Sequence, residues 1–231
     1  MKVLGVLMIV LLLVFSATGL LDVRADDTYK AYKTGLMYAK GDGVTQDYSE
    51  ALKWFREAAD QGNSDAQRQL GLMYYDGIGV SKDYGEAFKW LQKAASQGHA
   101  NAQYHIGWMY RFGKGTTYDY AEALKWFRKA ADQGFADAQT AVGLMYQDGE
   151  GVDYAEALKW FRKAADQGFA DAQHEIGWMY AEGNGVTQDY SEALKWFRKA
   201  ADQGNEVARR SRTYLESKMT GQNQADRRQF R

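Results

Sequence analysis

The chain of 231 residues contains no cysteine, no proline and only three histidines. Without cysteine there is no disulfide framework, no thiol nucleophile and no cysteine metal site, so packing alone must hold the fold. Without proline, the turns fall to glycine. His99 lies in a turn, while His105 and His174 fall on helical segments in different registers and form no repeated ligand set. Carboxylates are plentiful, but Asp47, Glu50 and their equivalents sit where helix caps belong, and a catalytic pair needs two carboxylates whose environments push their pKa values apart. No nucleophile-and-base constellation stands out. The reading is therefore of a chain that is not an enzyme and that holds no cofactor and no metal.

What is present in abundance is repetition. The glycines Gly35, Gly71, Gly107, Gly143 and Gly177 and the tryptophans Trp54, Trp90, Trp126, Trp160 and Trp196 mark five copies of a segment of 36 residues, one of them 34. The stretch Glu122 to Gln139 returns unchanged at Glu156 to Gln173. Such a period is the signature of a stacked repeat array. Gly-x-Gly loops could suggest phosphate cradles, but a dinucleotide fingerprint opens a helix after a strand, and these loops close a helix. Four repeated structural positions in five copies account for 20 of the 24 glycines.

In the second copy, Ala66, Leu70, Met73 and Tyr74 have helical spacing, with Asp65 as the expected N-cap. This is helix A. Gly77 and Gly79 form the following loop, and Asp83-Tyr84-Gly85-Glu86 opens helix B. The Asp-Tyr-x-Glu pattern recurs at Asp47, Asp119, Asp153 and Asp189, and predicts a capping box in which Glu reaches back. Within helix B, Ala87, Leu91 and Ala94 share a face beside Trp90, and the five repeated tryptophans are expected in the core. An interior glycine costs about 1 kcal/mol relative to alanine. Its recurrence in every helix A implies a close helix crossing.

The combination Ala-x3-Leu-Gly-x2-Tyr, Gly-x-Gly-Val, Asp-Tyr-x-Glu-Ala-x2-Trp-Phe-x-Lys-Ala-Ala and Gln-Gly resembles the Sel-one-like repeat (SLR) family, relatives of the tetratricopeptide repeat. It covers about residues 30 to 208. Departures are local: Thr34 precedes Gly35 in place of Leu, and Thr116 follows Gly115 in place of Val. The resemblance implies an all-α fold, a right-handed α-α superhelix of five helix pairs with a C-terminal capping helix. It also implies adaptor or scaffold activity in binding other proteins.

Both ends of the chain carry information. Lys2 is followed by an uncharged stretch from Val3 to Leu21 and by Val23-Arg24-Ala25, the order of a cleaved signal peptide over residues 1–25. An uncleaved anchor facing the same way is the alternative, because the apolar stretch could just span a bilayer. The expected location is the periplasm or the exterior. Residues 26–219 form the expected solenoid and 220–231 an expected disordered basic tail. The mature chain would be net −7 over the repeats and +5 from Arg209 onward. An acidic body argues against nucleic-acid partners, while the basic end offers a possible membrane-surface contact. A monomer is expected.

Residues that differ between copies are the candidates for individual function. One helix A stripe reads Arg68-Leu72-Tyr75, Tyr104-Trp108-Arg111 and His174-Trp178-Ala181 in the second, third and fifth copies. By analogy with tetratricopeptide solenoids it lines the concave face. Trp108 and Trp178 replace a leucine, and aromatic and arginine residues anchor interfaces. Arg68, Tyr75, Tyr104, Trp108, Arg111, His174 and Trp178 are thus the candidate site for a protein or peptide. The competing readings are packing between successive A helices, a structural component of a cell-envelope assembly, and a hydrolase acting in the envelope.

Overall fold

The structure, a computed structural model, describes residues 27–149 and 152–229, with side chains described as far as residue 221. The segment 1–25 read as a signal peptide lies outside the described residues. Among the described residues every regular element is a helix. The chain divides into two compact units at Asp119/Tyr120. The first holds α1 (residues 27–40), α2 (Tyr48–Asp60), α3 (Ser64–Asp76), α4 (Tyr84–Ser96) and α5 (Ala100–Phe112). The second holds α6 (Tyr120–Ala131), α7 (Ala136–Asp148), α8 (Tyr154–Asp166), α9 (Ala170–Glu182), α10 (Tyr190–Asp202) and α11 (Glu206–Gln229). Odd-numbered helices up to α9 are the A helices and even-numbered ones the B helices. The all-α helical-repeat class expected from the period is what is found.

The B helices begin where the sequence places them. Asp47, Asp83, Asp153 and Asp189 each accept a hydrogen bond from a first-turn amide. The glutamate does not reach back. The amide it would have satisfied already donates to the tyrosine carbonyl of the preceding helix A, as in Asp83 to Tyr74 at 2.9 Å and Asp189 to Tyr180 at 2.9 Å. Glu50, Glu86, Glu122, Glu156 and Glu192 are left to pair forward with the lysine three residues on, at 2.5 to 2.8 Å. Helix α3 likewise starts earlier than Asp65: its cap is Asn63, whose side-chain oxygen accepts from Ala66 at 2.8 Å.

The deepest core residue of helix B is the neighbour of the tryptophan. Phe55, Leu91, Phe127, Phe161 and Phe197 are all essentially inaccessible. They are buried because the interior glycine of helix A lets the two backbones close on them. A Cβ built at Gly35, Gly143 or Gly177 would stand 2.5 to 2.6 Å from the ring of Phe55, Phe161 or Phe197. At Gly71 it would meet Leu91 Cγ at 2.6 Å. The tryptophans behave less uniformly than expected. Trp90, Trp126 and Trp160 are buried and Trp54 and Trp196 only half-buried. Lysines cover the rings of four of them, at 3.6 to 4.2 Å from the ring centroid.

Two motifs without an obvious role in sequence turn out to join successive copies. The glutamine of each Ala-Gln pair is buried and donates to a carbonyl of the preceding helix B, as Gln67 does to Ala59 at 3.0 Å. The Gln-Gly glutamine that ends the same copy then donates to it: Gln97 to Gln67 at 2.7 Å, Gln167 to Gln139 at 2.8 Å and Gln203 to Gln173 at 2.8 Å. Buried amides are thereby paired, as they must be. The second joint is the loop. Gly77 and Gly79 both have positive φ, and a Cβ at Gly79 would lie 2.6 Å from the Tyr48 carbonyl oxygen of the copy before. Gly43, with no described copy before it, has nothing within 4 Å.

The C-terminal helix closes the second unit. Leu215 is buried in a cluster with Ala193, Leu194 and Phe197. Glu216 stands where other copies have the tyrosine that Arg128 and Arg162 bond, and is 3.7 Å from Arg198. α11 runs on to Gln229, whereas a disordered tail from residue 220 was expected. Residues 220–229 contain no proline, three glutamines and two arginines, so a helix already nucleated by the packed turns before it runs on despite the cost of Gly221.

Candidate interaction surface

The helix A stripe is brought together in each unit by the helical spacing i, i+4, i+7, but its two halves differ in what covers them. In the second unit, His174 and Trp178 face α11. The indole N–H of Trp178 donates to His174 Nε2 at 3.0 Å, and that nitrogen lies 3.1 Å from the Ser211 hydroxyl. The Trp178 ring packs against Phe197 and Tyr214, with centroids 5.5 and 6.3 Å away. Both residues belong to the seam between the last copy and the cap. Ala181, which completes this stripe, is buried.

In the first unit the stripe is covered to a similar degree as His174 and Trp178. Arg68, Tyr75, Tyr104, Trp108 and Arg111 are each half-buried. Tyr104 meets Trp108 edge-on at 6.0 Å, and Trp108 stacks on Phe112 with centroids 5.3 Å apart and planes 6° from parallel. Phe112 is 59% exposed and Tyr118, in the loop after α5, is 60% exposed. The Arg111 guanidinium lies 5.9 Å from both rings. On α3, Tyr75 meets Tyr84 at 5.0 Å, and Lys114 donates to the Tyr84 hydroxyl at 3.1 Å.

The electrostatics follow from these neighbours. The hydrogen bond from Lys114 holds the Tyr84 phenol below its usual range, with the Lys114 and Lys82 charges adding to it against a smaller desolvation effect. Burial pushes the Tyr32 phenol up, aided by Asp65 and opposed by Arg68. His105, one position from the stripe, is driven down to about 4 by burial first and by Arg68 second, with Asp76 pulling the other way. It is a neutral packed imidazole at pH 7.

Sequence reasoning missed Phe112, Tyr118 and Tyr84. The signal for Phe112 was legible: the same position holds Lys40, Asp76, Asp148 and Glu182 in the other copies. A separate groove of about 660 Å³ runs along α4, lined by Gln67, Trp90, Lys93, Gln97 and the Glu86–Lys89 ion pair. Among the described residues no cluster of three metal-ligating side chains occurs, and no helix is long and apolar enough to cross a membrane.

Comparison with known proteins agrees with this architecture. The chain is similar, at 38% identity and a TM-score of 0.75, to a Sel1 repeat protein from Oxalobacter formigenes, over 79% of this chain and 73% of that one. It is 40% identical, with a TM-score of 0.74, to a protective antigen present in uropathogenic Escherichia coli strains that displays an SLR fold. That match covers 81% of this chain but 41% of the antigen, so the present chain spans less than half of that relative. An immunity protein from Pseudomonas aeruginosa is similar at 25% identity and a TM-score of 0.54, over 78% of this chain and 67% of that one. No curated protein sequence matches. The Sel1 repeat model matches residues 31–63, 64–99, 100–135, 136–169 and 170–205, and the chain belongs to the Sel1 repeat family.

Proposed function

We propose that the protein is an exported, non-enzymatic binding module that holds a protein or peptide partner on the helix A stripe of its second and third copies. Sel1 repeats commonly mediate protein–protein contact and are typically non-enzymatic. The observation that carries the reading is the aromatic run Trp108, Phe112 and Tyr118. In an array of near-identical copies, the third alone puts a phenylalanine where its siblings hold Lys40, Asp76, Asp148 and Glu182, and a tyrosine where Gln46, Lys82, Val152 and Gln188 precede the cap aspartate, and both are well exposed. Exposed aromatics next to an arginine are the usual composition of an interface hot spot. Arg68, Tyr75, Tyr104 and Arg111 frame that run. His174 and Trp178 are left out, being engaged by α11. Export rests on the Lys2, Val3 to Leu21 and Val23-Arg24-Ala25 pattern.

A photoreactive benzoyl-phenylalanine at position 112, compared with one at the exposed Lys159 on α8, tests the surface in the native cells. A discrete adduct at 112 and none at 159 is expected; identical patterns at both positions refute it. Intact-mass measurement of the cell-envelope fraction tests export, with an N-terminus at Asp26 expected and retention of residues 1–25 favouring the anchor.

A further inference from the structure

The third copy departs from the others in a single electrostatic direction. Residues 87–118 contain no aspartate and no glutamate, in a chain with 30 acidic residues. The carboxylate positions of the other copies are refilled. Ser96 stands where Asp60, Asp132, Asp166 and Asp202 do, Asn101 where Asp65, Asp137 and Asp171 do, and Phe112 where Asp76, Asp148 and Glu182 do. Four lysines and arginines remain in the segment. Lys89 is tied to Glu86 and Lys93 lies on Trp90, both on α4. Arg111 lies against both rings of the exposed aromatic run, and Lys114, between Phe112 and Tyr118 in the chain, bonds the Tyr84 hydroxyl. The hydrogen bond from Lys114 lowers the pKa of the Tyr84 phenol. The surface is thus an apolar floor, Phe112 and Tyr118, with Arg111 and Lys114 beside it and fewer carboxylates than the other copies, Asp119 being the first after Tyr118.

We infer that this surface takes a short acidic peptide segment carrying an aromatic or aliphatic side chain as its anchor. The inference rests on the proposed binding role of the third copy and adds the chemistry of the partner. The anchor packs on Phe112 and Tyr118, while a carboxylate reaches Arg111 in the two-pronged geometry that a guanidinium favours. A second meets Lys114. The length is bounded. α5 has 13 residues, about 20 Å at the helical rise, which about six extended residues span. Beyond it within the same unit stand the exposed carboxylates of Asp65 and Asp76 on α3, so a long polyanion such as a nucleic acid meets repulsion as soon as it leaves the patch.

Display selection of random octapeptides on the purified protein tests this without knowledge of the natural partner. The expected output is enriched in Asp and Glu together with at least one Phe, Trp, Tyr or Leu. The best synthetic octapeptide should lose about ten-fold in affinity when its carboxylates become amides, and a similar factor on Arg111→Gln with Lys114→Gln, while charged-pair attraction falls as salt rises. Far-ultraviolet circular dichroism of the double variant should match the parent. Neutral or basic selected peptides, or an amide analogue that binds as well, overturn the inference while leaving the binding role standing if Phe112→Asp abolishes binding. Selection that yields no peptide sensitive to Phe112→Asp overturns both. Equal affinity for an oligothymidylate of eight nucleotides overturns the peptide assignment.

Discussion

The interior glycine of helix A offers a signed test, because two opposing effects act on the same atom. Gly71→Ala gains about 1 kcal/mol of helix propensity. Against it, the new Cβ would lie 2.6 Å from Leu91 Cγ and 3.1 Å from the Leu91 amide nitrogen, where carbon contacts prefer about 3.5 to 4.0 Å. Turning the Leu91 side chain relieves the first contact but not the second, which is backbone, so α3 and α4 must separate. Overpacking of this kind typically costs about 1 to 3 kcal/mol. A contact that moves backbone belongs at the upper end, leaving a net loss of about 2 kcal/mol. Gly85→Ala on α4 is the matched control: its Cβ would meet only Asp83 Oδ1, at 3.3 Å. Other copies hold Ser49, Ala121, Ala155 and Ser191 there. It should stabilise by up to about 1 kcal/mol. Urea denaturation followed by circular dichroism and by tryptophan fluorescence reads both. If Gly71→Ala is neutral or stabilising, the close crossing does not explain the recurrent glycine.

Other perturbations separate the remaining contributions. His105 has its folded pKa depressed to about 4, so its stabilising effect is full above the unfolded value near 6.5 and is lost as pH falls toward 4. By pH 5 the loss is about 2 kcal/mol; His105→Gln, which takes the residue of the second copy, should flatten the urea midpoint between pH 7 and pH 5, and an unchanged pH slope would contradict this. Gly79→Ala should lower the midpoint more than Gly43→Ala, since both strain a positive φ but only Gly79 abuts Tyr48; equal losses would mean the loop is not a joint between copies. Asp83→Ala should cost about 1 kcal/mol as a lost cap, read by the same urea midpoint, and no change would remove the cap from the account of helix B. Deleting residues 205–231 should uncover Phe197 and Trp178 and cause aggregation in light scattering, whereas deleting 220–231 should leave the protein soluble and folded; indistinguishable truncations would show that α11 is not a cap.

The helices were legible because their determinants are local. Each Asp-Tyr-x-Glu start and each Gly end acts over four or five residues, and the structure puts helix B where those residues say. What was misjudged depends on contacts between copies. The capping glutamate looked committed until the Tyr74 and Tyr180 carbonyls were seen to take the cap amide first. Trp54 and Trp196 share a motif with Trp90 but not its burial, because position in the array decides what covers each ring. In the candidate site, the stripe spacing follows from helical geometry and sets Tyr104, Trp108 and Arg111 along one face of α5. His174 and Trp178 were chosen by the same rule, yet helix spacing says nothing about a following element such as α11. Phe112 and Tyr118 were overlooked because they lie at the helix end and in the loop, outside the i, i+4, i+7 frame.

The seam of His174, Trp178, Ser211 and Tyr214 bears on how such an array can lengthen. Most joints between copies are interchangeable, since the glutamine pair and the loop glycine recur with the period and one duplicated copy would supply both halves of a new joint. The near-verbatim stretches at Glu122 and Glu156 are what recent duplication leaves behind. The last joint is different in kind: among the copies only the fifth has a histidine at the position of His174 to accept the indole bond of Trp178 and meet the Ser211 hydroxyl. A new copy placed after Asp202 would face Ser211 with the side chains of an ordinary helix A, whereas one placed upstream of Ala170 would leave the terminal lock intact. Lengthening anywhere upstream of Ala170 therefore keeps the lock, which makes the fifth copy and α11 a single block.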